Sequence, residues 1–289
     1  MWRKIRRIAR EFFQSPEFQA FRKRRLALIG FGIVLAFIVM AIFAGWIAPH
    51  DPYESNFEDR LQEPSWKYPM GTDWMGRCVF SRIVHGSGAV LKRGFLVAFI
   101  WAAVGAPLGL VAGYYKKVDY IMLRAVDVVI LFPIVALAVA FIAVSGPGLF
   151  YPILGIPGWV GFAKLMRDRV LKIRRTAVSK VLFGKNVKTS RHILRTFVAL
   201  MILAIPAAIL LISALSYMGF GAIPPEPEWG TMLSESSRYL GDPMPAPLWS
   251  IFPGIMLMLL IFGFYLMGDW LREILDQDQT FYLPGVIAQ

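Results

Sequence analysis

The side chains able to do covalent or metal chemistry are few in this chain and stand far apart. His50, His85 and His192 are scattered across external and cytoplasmic segments, which argues against a histidine metal cluster. The one cysteine, Cys78, excludes an intrachain disulfide and any multi-cysteine metal site. No Gly-x-x-x-x-Gly-Lys-Ser/Thr stretch is present, so the chain should not hydrolyse ATP through a phosphate-binding loop. Ser213 and Ser216 lie within an apolar run, but no His or Lys stands at matching depth to activate either as a nucleophile. What remains are two ionic pairs at helical spacing, Arg124 with Asp127 and Asp269 with Arg272. Each pair is three residues apart and can close on one helix face near the end of an apolar run, where a structural role at a membrane interface outweighs a place in a substrate path. No catalytic residue, cofactor or metal is expected.

The elements that would carry these residues follow from composition. Of 289 residues, 57% are hydrophobic and only 17% charged, against roughly 25% charged in a soluble domain; the mean hydropathy is +0.56. Such a surplus of apolar residues has to face lipid. At roughly 20 residues per crossing, the length accommodates about six helices with short connections, and the fold class expected is an all-α polytopic membrane protein.

A net charge of +12 would suggest nucleic acid in a soluble protein, but the distribution of charge argues otherwise. Met1 to Arg25 carries nine Lys/Arg against two acids, and Lys164 to Arg195 carries eleven against the single Asp168. His50 to Gly86 has four basic and six acidic residues, and Ala222 to Ser250 has Arg238 against four acids. This is the positive-inside alternation, which places the first two stretches in the cytoplasm and the other two outside, and it excludes nucleic acid as the partner. A basic cytoplasmic segment, 1–25, therefore precedes a transmembrane domain over 26–289. Its landmarks are an external loop at 49–87, a basic cytoplasmic loop at 167–196 and an external loop at 221–248. The apolar run after the basic segment exceeds a signal-peptide core and is read as a retained first span.

The spans expected are 26–48, 90–114, 120–144, 146–166, 197–220 and 249–270, with both termini inside. Lys92 and Arg93 could snorkel to the outer interface at the start of the second. The fourth contains Pro147, Pro152 and Pro157 and should be broken or kinked, a form tolerated where neighbouring helices satisfy the freed backbone groups. Without it the two most basic segments would fall on opposite sides of the membrane.

Within the basic loop, Ala177, Val178, Val181 and Leu182 recur at i, i+1, i+4 and i+5, a narrow apolar stripe on a short helix otherwise covered by Arg174, Arg175, Ser179 and Lys180. Gly184 should end that helix. Periodicity leaves two places for the stripe, the lipid headgroups or a groove on a cytosolic partner. The proline-rich external stretch 224–247, around Trp229, Met232 and Leu233, reads on its residues alone as a stiff surface loop.

Five stretches occur in the order and spacing of one known family. They are YPMGTDWMGRCVFSR from Tyr68 to Arg82; PLGLVAGYY from Pro107 to Tyr115 with Asp119; Arg124 to Asp127 with Pro133; PPEPEWGTML from Pro224 to Leu233; and Phe252 to Gly254 followed by Gly268 to Arg272. Together they resemble the C-type permease subunit of ATP-binding-cassette importers of the dipeptide, oligopeptide and nickel type, across nearly the whole chain. The resemblance implies a type I importer permease fold in the plasma (inner) membrane. It also implies a second homologous permease, two ABC ATPase subunits and an extracytoplasmic substrate-binding protein as partners. It assigns Ala177, Val178, Val181, Leu182 and Gly184 to the ATPase-coupling loop, and Trp229, Met232 and Leu233 to an external gate or binding-protein docking surface. In the coupling loop Gly184 and His192-Ile-Leu194 fit the family pattern. Val178 stands where glutamate is usual, Ser179 and Lys180 where alanines are, and Arg195 where proline is, so any contact made by the family's glutamate is absent. The rival from another class, a self-contained secondary transporter, should show inverted repeats and midplane ion-binding groups. No such repeat is evident, and the mid-span positions are nearly free of charge.

Overall fold

The computed structural model describes residues 24–145, 150–182, 189–239 and 246–280. Among them the regular structure is helical, with one isolated bridge between Thr72 and Cys78. The helices are α1 (Arg25–Ile42), a single turn α2 (Ala44–Ile47), α3 (Val79–Tyr114), α4 (Lys116–Ile130), α5 (Ile134–Ser145), α6 (Phe150–Leu182), α7 (Thr189–Tyr217), α8 (Trp229–Ser237) and α9 (Ala246–Thr280).

Among the described residues four stretches are long and apolar enough to cross a membrane: Arg25–Ile42, Val79–Tyr114, Ile193–Tyr217 and Trp249–Gly268. Their outward faces are apolar. Ile42, Phe95, Phe99, Leu210, Met258, Phe262 and Tyr265 are large apolar side chains left exposed on these helices. α4 and α5 together make a fifth candidate, but they meet at 83°. The uninterrupted span expected over 120–144 is therefore two helices. Pro133 supplies the reason, since it lacks an N–H donor and biases Phe132 away from helical backbone. The fourth span of the sequence reading, 146–166, falls largely on α6, which is 33 residues long but turns charged from Lys164 onward. It is one continuous helix in place of the broken one expected. At the crowded point the Trp101 indole N–H donates to the Leu154 carbonyl at 2.8 Å, a neighbouring helix satisfying backbone near the prolines. A helix of this length rises roughly 50 Å, so the stripe at 177–182 is the far end of α6 and no separate helix.

Close packing of small residues sets the helix positions. On α3, Gly105, Gly109 and Gly113 recur every fourth residue and face α6. A Cβ on Gly109 would lie 2.4 Å from the Ala163 carbonyl oxygen, and one on Gly113 2.5 Å from Val170 Cγ1. Where only glycine fits, two backbones approach within van der Waals contact, which is how helices associate when lipid removes the hydrophobic drive between them. α3 and α6 run in the same direction and form the most extensive helix pair of the bundle. The same device joins α1 to α9, where a Cβ on Gly30 would stand 2.6 Å from the Gly263 carbonyl. Three buried clusters result among the described residues, the smallest around Met122, Val126 and Val160. Of the larger two, one is centred on Trp101, Met166, Leu200 and Leu215, and the other on Phe37, Ile83, Trp229 and Leu260.

Candidate functional site

The loop at 49–78 folds onto the start of α3 and onto α8, forming a cap over one end of the bundle. Its turn is built by Asp73, whose Oδ1 accepts the backbone N–H of Met75 and of Arg77. Gly76 follows with φ +76°, and a Cβ there would collide with the Asn56 carbonyl at 1.7 Å, so only glycine serves. Asp73 Oδ2 accepts from Arg77 Nε at 2.7 Å and Arg82 Nη1 at 2.8 Å. Both guanidinium groups then reach across 150 residues of sequence to Glu235 on α8, donating to its Oε2 at 3.1 and 3.3 Å. The two arginines are fully buried and Asp73 and Glu235 nearly so. Two cations and two anions sum to zero, which is what makes such burial tolerable. Removing any single member would leave a charge uncompensated.

Nearer the tip of the loop, Asp59 accepts hydrogen bonds from Tyr68 Oη at 2.6 Å, Lys67 Nζ at 2.9 Å and Gln62 Nε2 at 2.8 Å. The tyrosine hydroxyl and then the lysine hold its carboxyl down at about 2.

Trp229 and Met232 have a place unlike the partner-facing one expected for them. Both are buried inside this chain. The Trp229 indole N–H donates to the Ile83 carbonyl at 3.1 Å, its ring meets Phe37 edge-on at 5.6 Å, and the missing side chain of Gly86 leaves room for it. A large apolar ring with one polar atom is most stable with that atom bonded and the rest dry, so Trp229 anchors α8 to α3. Leu233 is partly buried against the same cluster. Glu228 caps α8 by accepting the Thr231 N–H at 2.9 Å. Arg93, expected to snorkel, instead pairs with Glu226 of the α7–α8 segment.

At the opposite end, Arg167 on α6 forms a two-pronged pair with Asp119 on α4, at 2.6 and 2.7 Å, and also bonds Asp168 at 2.7 Å. The planar guanidinium matches a carboxylate in this fork geometry. Arg174 adds a hydrogen bond to the Tyr114 carbonyl at 3.0 Å. The last turns of α6 are thereby fastened to the α3–α4 corner. Arg124 and Asp127 stand 3.7 Å apart with both side chains about two-thirds exposed, at 68% and 65%, a spacing and exposure that make a weak pair. Asp269 and Arg272 lie on α9 with helical backbone, their side chains outside the described residues. The same holds for Ala177, Val178, Val181 and Leu182 on α6, and Gly184 lies outside the described residues altogether.

A membrane bundle with a charged cap at one end and a fastened helix end at the other can also be compared with known proteins. Residues 105–280 match the family described as binding-protein-dependent transport system inner membrane component. The chain belongs to this permease family. Residues 18–64 further match the N-terminal transmembrane domain of oligopeptide transport permease C, in agreement with the C-type resemblance. Among curated relatives, the dipeptide transport system permease protein DppC of Alkalihalophilus pseudofirmus is 36% identical over 270 residues, which is 90% of this chain and 88% of that one. DppC of Haemophilus influenzae is 33% identical, covering 89% and 92% of the two chains. The glutathione transport system permease protein GsiD of Escherichia coli O157:H7 is 37% identical, covering 89% and 88%.

Two features of the permease were not foreseen in its sequence. The Asp73, Arg77, Arg82 and Glu235 cluster draws on two motifs 150 residues apart, and only the i, i+4 spacing of Asp73 and Arg77 hinted at it. The Arg167–Asp119 clamp joins the start of the basic 167–196 segment to the residue that follows the Pro107–Tyr115 motif.

Proposed function

We propose that this chain is one of two permease subunits of an ATP-driven importer for peptides or related solutes. It would form the pathway with a second homologous permease, receive substrate from an extracytoplasmic binding protein, and respond to two separate ABC ATPase subunits docked at the end of α6. The membrane is the plasma (inner) membrane, with both termini and the 167–196 segment cytoplasmic and the 49–87 loop outside. The observation that carries this reading is the family membership of a chain that has no phosphate-binding loop of its own, so that energy has to come from another subunit. The clamp between Arg167 and Asp119 supports the coupling arm of the proposal. A force applied at 177–182 travels along one rigid helix and reaches α3 and α4 through a bidentate ion pair.

Two relatives are named for dipeptide transport and one for glutathione transport, which makes a short peptide the first substrate to try. Purification under mild detergent, with mass spectrometry of the co-purifying chains, tests the assembly. A second permease and ABC ATPases in stable stoichiometry are the expected result. Recovery of the chain alone or as a simple homodimer, from membranes where those proteins are expressed, would overturn it.

A further inference from the structure

A cavity of about 460 Å³ opens beside α8, between the cap and the α7–α8 segment, lined by Trp74, Ser216, Thr231, Ser234, Glu235 and Arg238 among others. Four observations define what it could hold. Glu235 is already neutralised, because its carboxylate accepts from both Arg77 and Arg82. The Arg238 guanidinium is exposed on the wall and has no ion-pair partner among the described residues, so the uncompensated charge of the cavity is positive. Ser216 Oγ is buried and bonded to nothing among the described residues, an arrangement that leaves a hydroxyl to be satisfied by an incoming polar group. Trp74 and Tyr239 stack at 6.4 Å with their planes 18° apart, giving one wall a flat apolar face.

We propose that this cavity binds the C-terminal end of a short peptide, with Arg238 receiving the terminal carboxylate. The planar guanidinium forks onto the carboxylate, the Trp74–Tyr239 face takes the last side chain, and Ser216 and Ser234 meet the peptide amides. A cavity that combines an apolar wall with a few convergent polar groups is the usual form of a small-ligand site. This assignment rests on the reading of the chain as part of a peptide importer and adds where, and by which charge, the substrate is first held on it.

The test uses the assembled complex with Ser234→Cys as a reporter inside the cavity, alone and combined with Arg238→Gln. Cys78 is buried and stays silent. Labelling by a small charged maleimide is timed with phenylalanyl-alanine and with its C-terminal amide, and ATP-dependent uptake is measured on the same preparation. At a peptide concentration ten times its dissociation constant, simple occupancy slows labelling about tenfold. That slowing is expected with the peptide, not with the amide, and not in the Arg238→Gln background. Equal protection by peptide and amide, or protection that survives Arg238→Gln, would remove the carboxylate from Arg238 and overturn the inference. Protection by the peptide-free binding protein alone would do the same, showing the cavity to be a protein contact. Absence of protection in a complex that still imports the peptide refutes this site and leaves the transport reading standing. Absence of both refutes both.

Discussion

At the scale of single residues, the cap stands or falls with its charges. Arg77, Arg82, Asp73 and Glu235 balance one another in a dry setting, so Glu235→Gln or Arg77→Met should cost about 3–5 kcal/mol by stranding the remaining charges. The paired change of Arg77→Met with Glu235→Leu should cost less than the sum of the two single changes, because charges leave together. Thermal unfolding of the detergent-solubilised chain checks both, and strictly additive losses would contradict a coupled cluster. Asp59 makes a second residue-level case. Its carboxyl is held at about 2, below its ordinary 3.8, and a depressed carboxylate stabilises the fold above its unfolded value. Its contribution is therefore complete above about pH 4 and lost as pH falls toward 2. Pepsin nicking between residues 60 and 67 should rise across that window, and Tyr68→Phe should move the rise to higher pH by removing the largest stabilising bond. The sequence offered the right residues here without their geometry. Asp73 and Arg77 could be paired by spacing, but nothing in a linear reading shows that Glu235 meets them, because that contact depends on how α8 lies on α3.

At the scale of elements, the glycine ladder on α3 should be intolerant of size. Gly109→Leu forces a side chain against the Ala163 carbonyl and should cost about 1–3 kcal/mol or more in overpacking, whereas Gly161→Ala on the facing helix, where nothing lies within 4 Å, should be neutral. The melting temperatures of the two variants decide it, and an unaffected Gly109→Leu would refute the close approach. The end of α6 carries the coupling proposal. Leu182→Ala in a buried interface should cost about 2–4 kcal/mol by analogy with core truncation, and Val181→Asp more, since it buries an unpaired charge. If both variants reach the membrane and keep their ATPase partners with full transport, the stripe faces lipid headgroups instead. The helical class was readable from apolar run length, as were the positions of α1, α7 and α9. The bend between α4 and α5 was written in Pro133 but could not be given an angle, and the continuity of α6 through Pro152 and Pro157 was not legible from the prolines alone. Trp229 shows the limit best. Nothing in a linear reading shows that its indole meets the Ile83 carbonyl in the space left by Gly86.

At the scale of the whole molecule, orientation and energy source remain linked, since a coupling end must face the nucleotide-bearing side. Trp66 is fully exposed on the cap loop, and Trp66→Cys should react with an impermeant maleimide added to intact cells while the buried Cys78 does not; labelling only in inverted vesicles would reverse the topology. The most direct measurement of the central claim is uptake of a radiolabelled dipeptide into proteoliposomes, with the chain reconstituted alone under a proton or sodium gradient and, in parallel, with its second permease, ATPases and binding protein. The expected result is no accumulation by the chain alone, and accumulation by the full assembly that requires both ATP and the binding protein. Robust gradient-driven uptake by the chain alone, without ATP, would contradict the account and identify a self-contained secondary transporter.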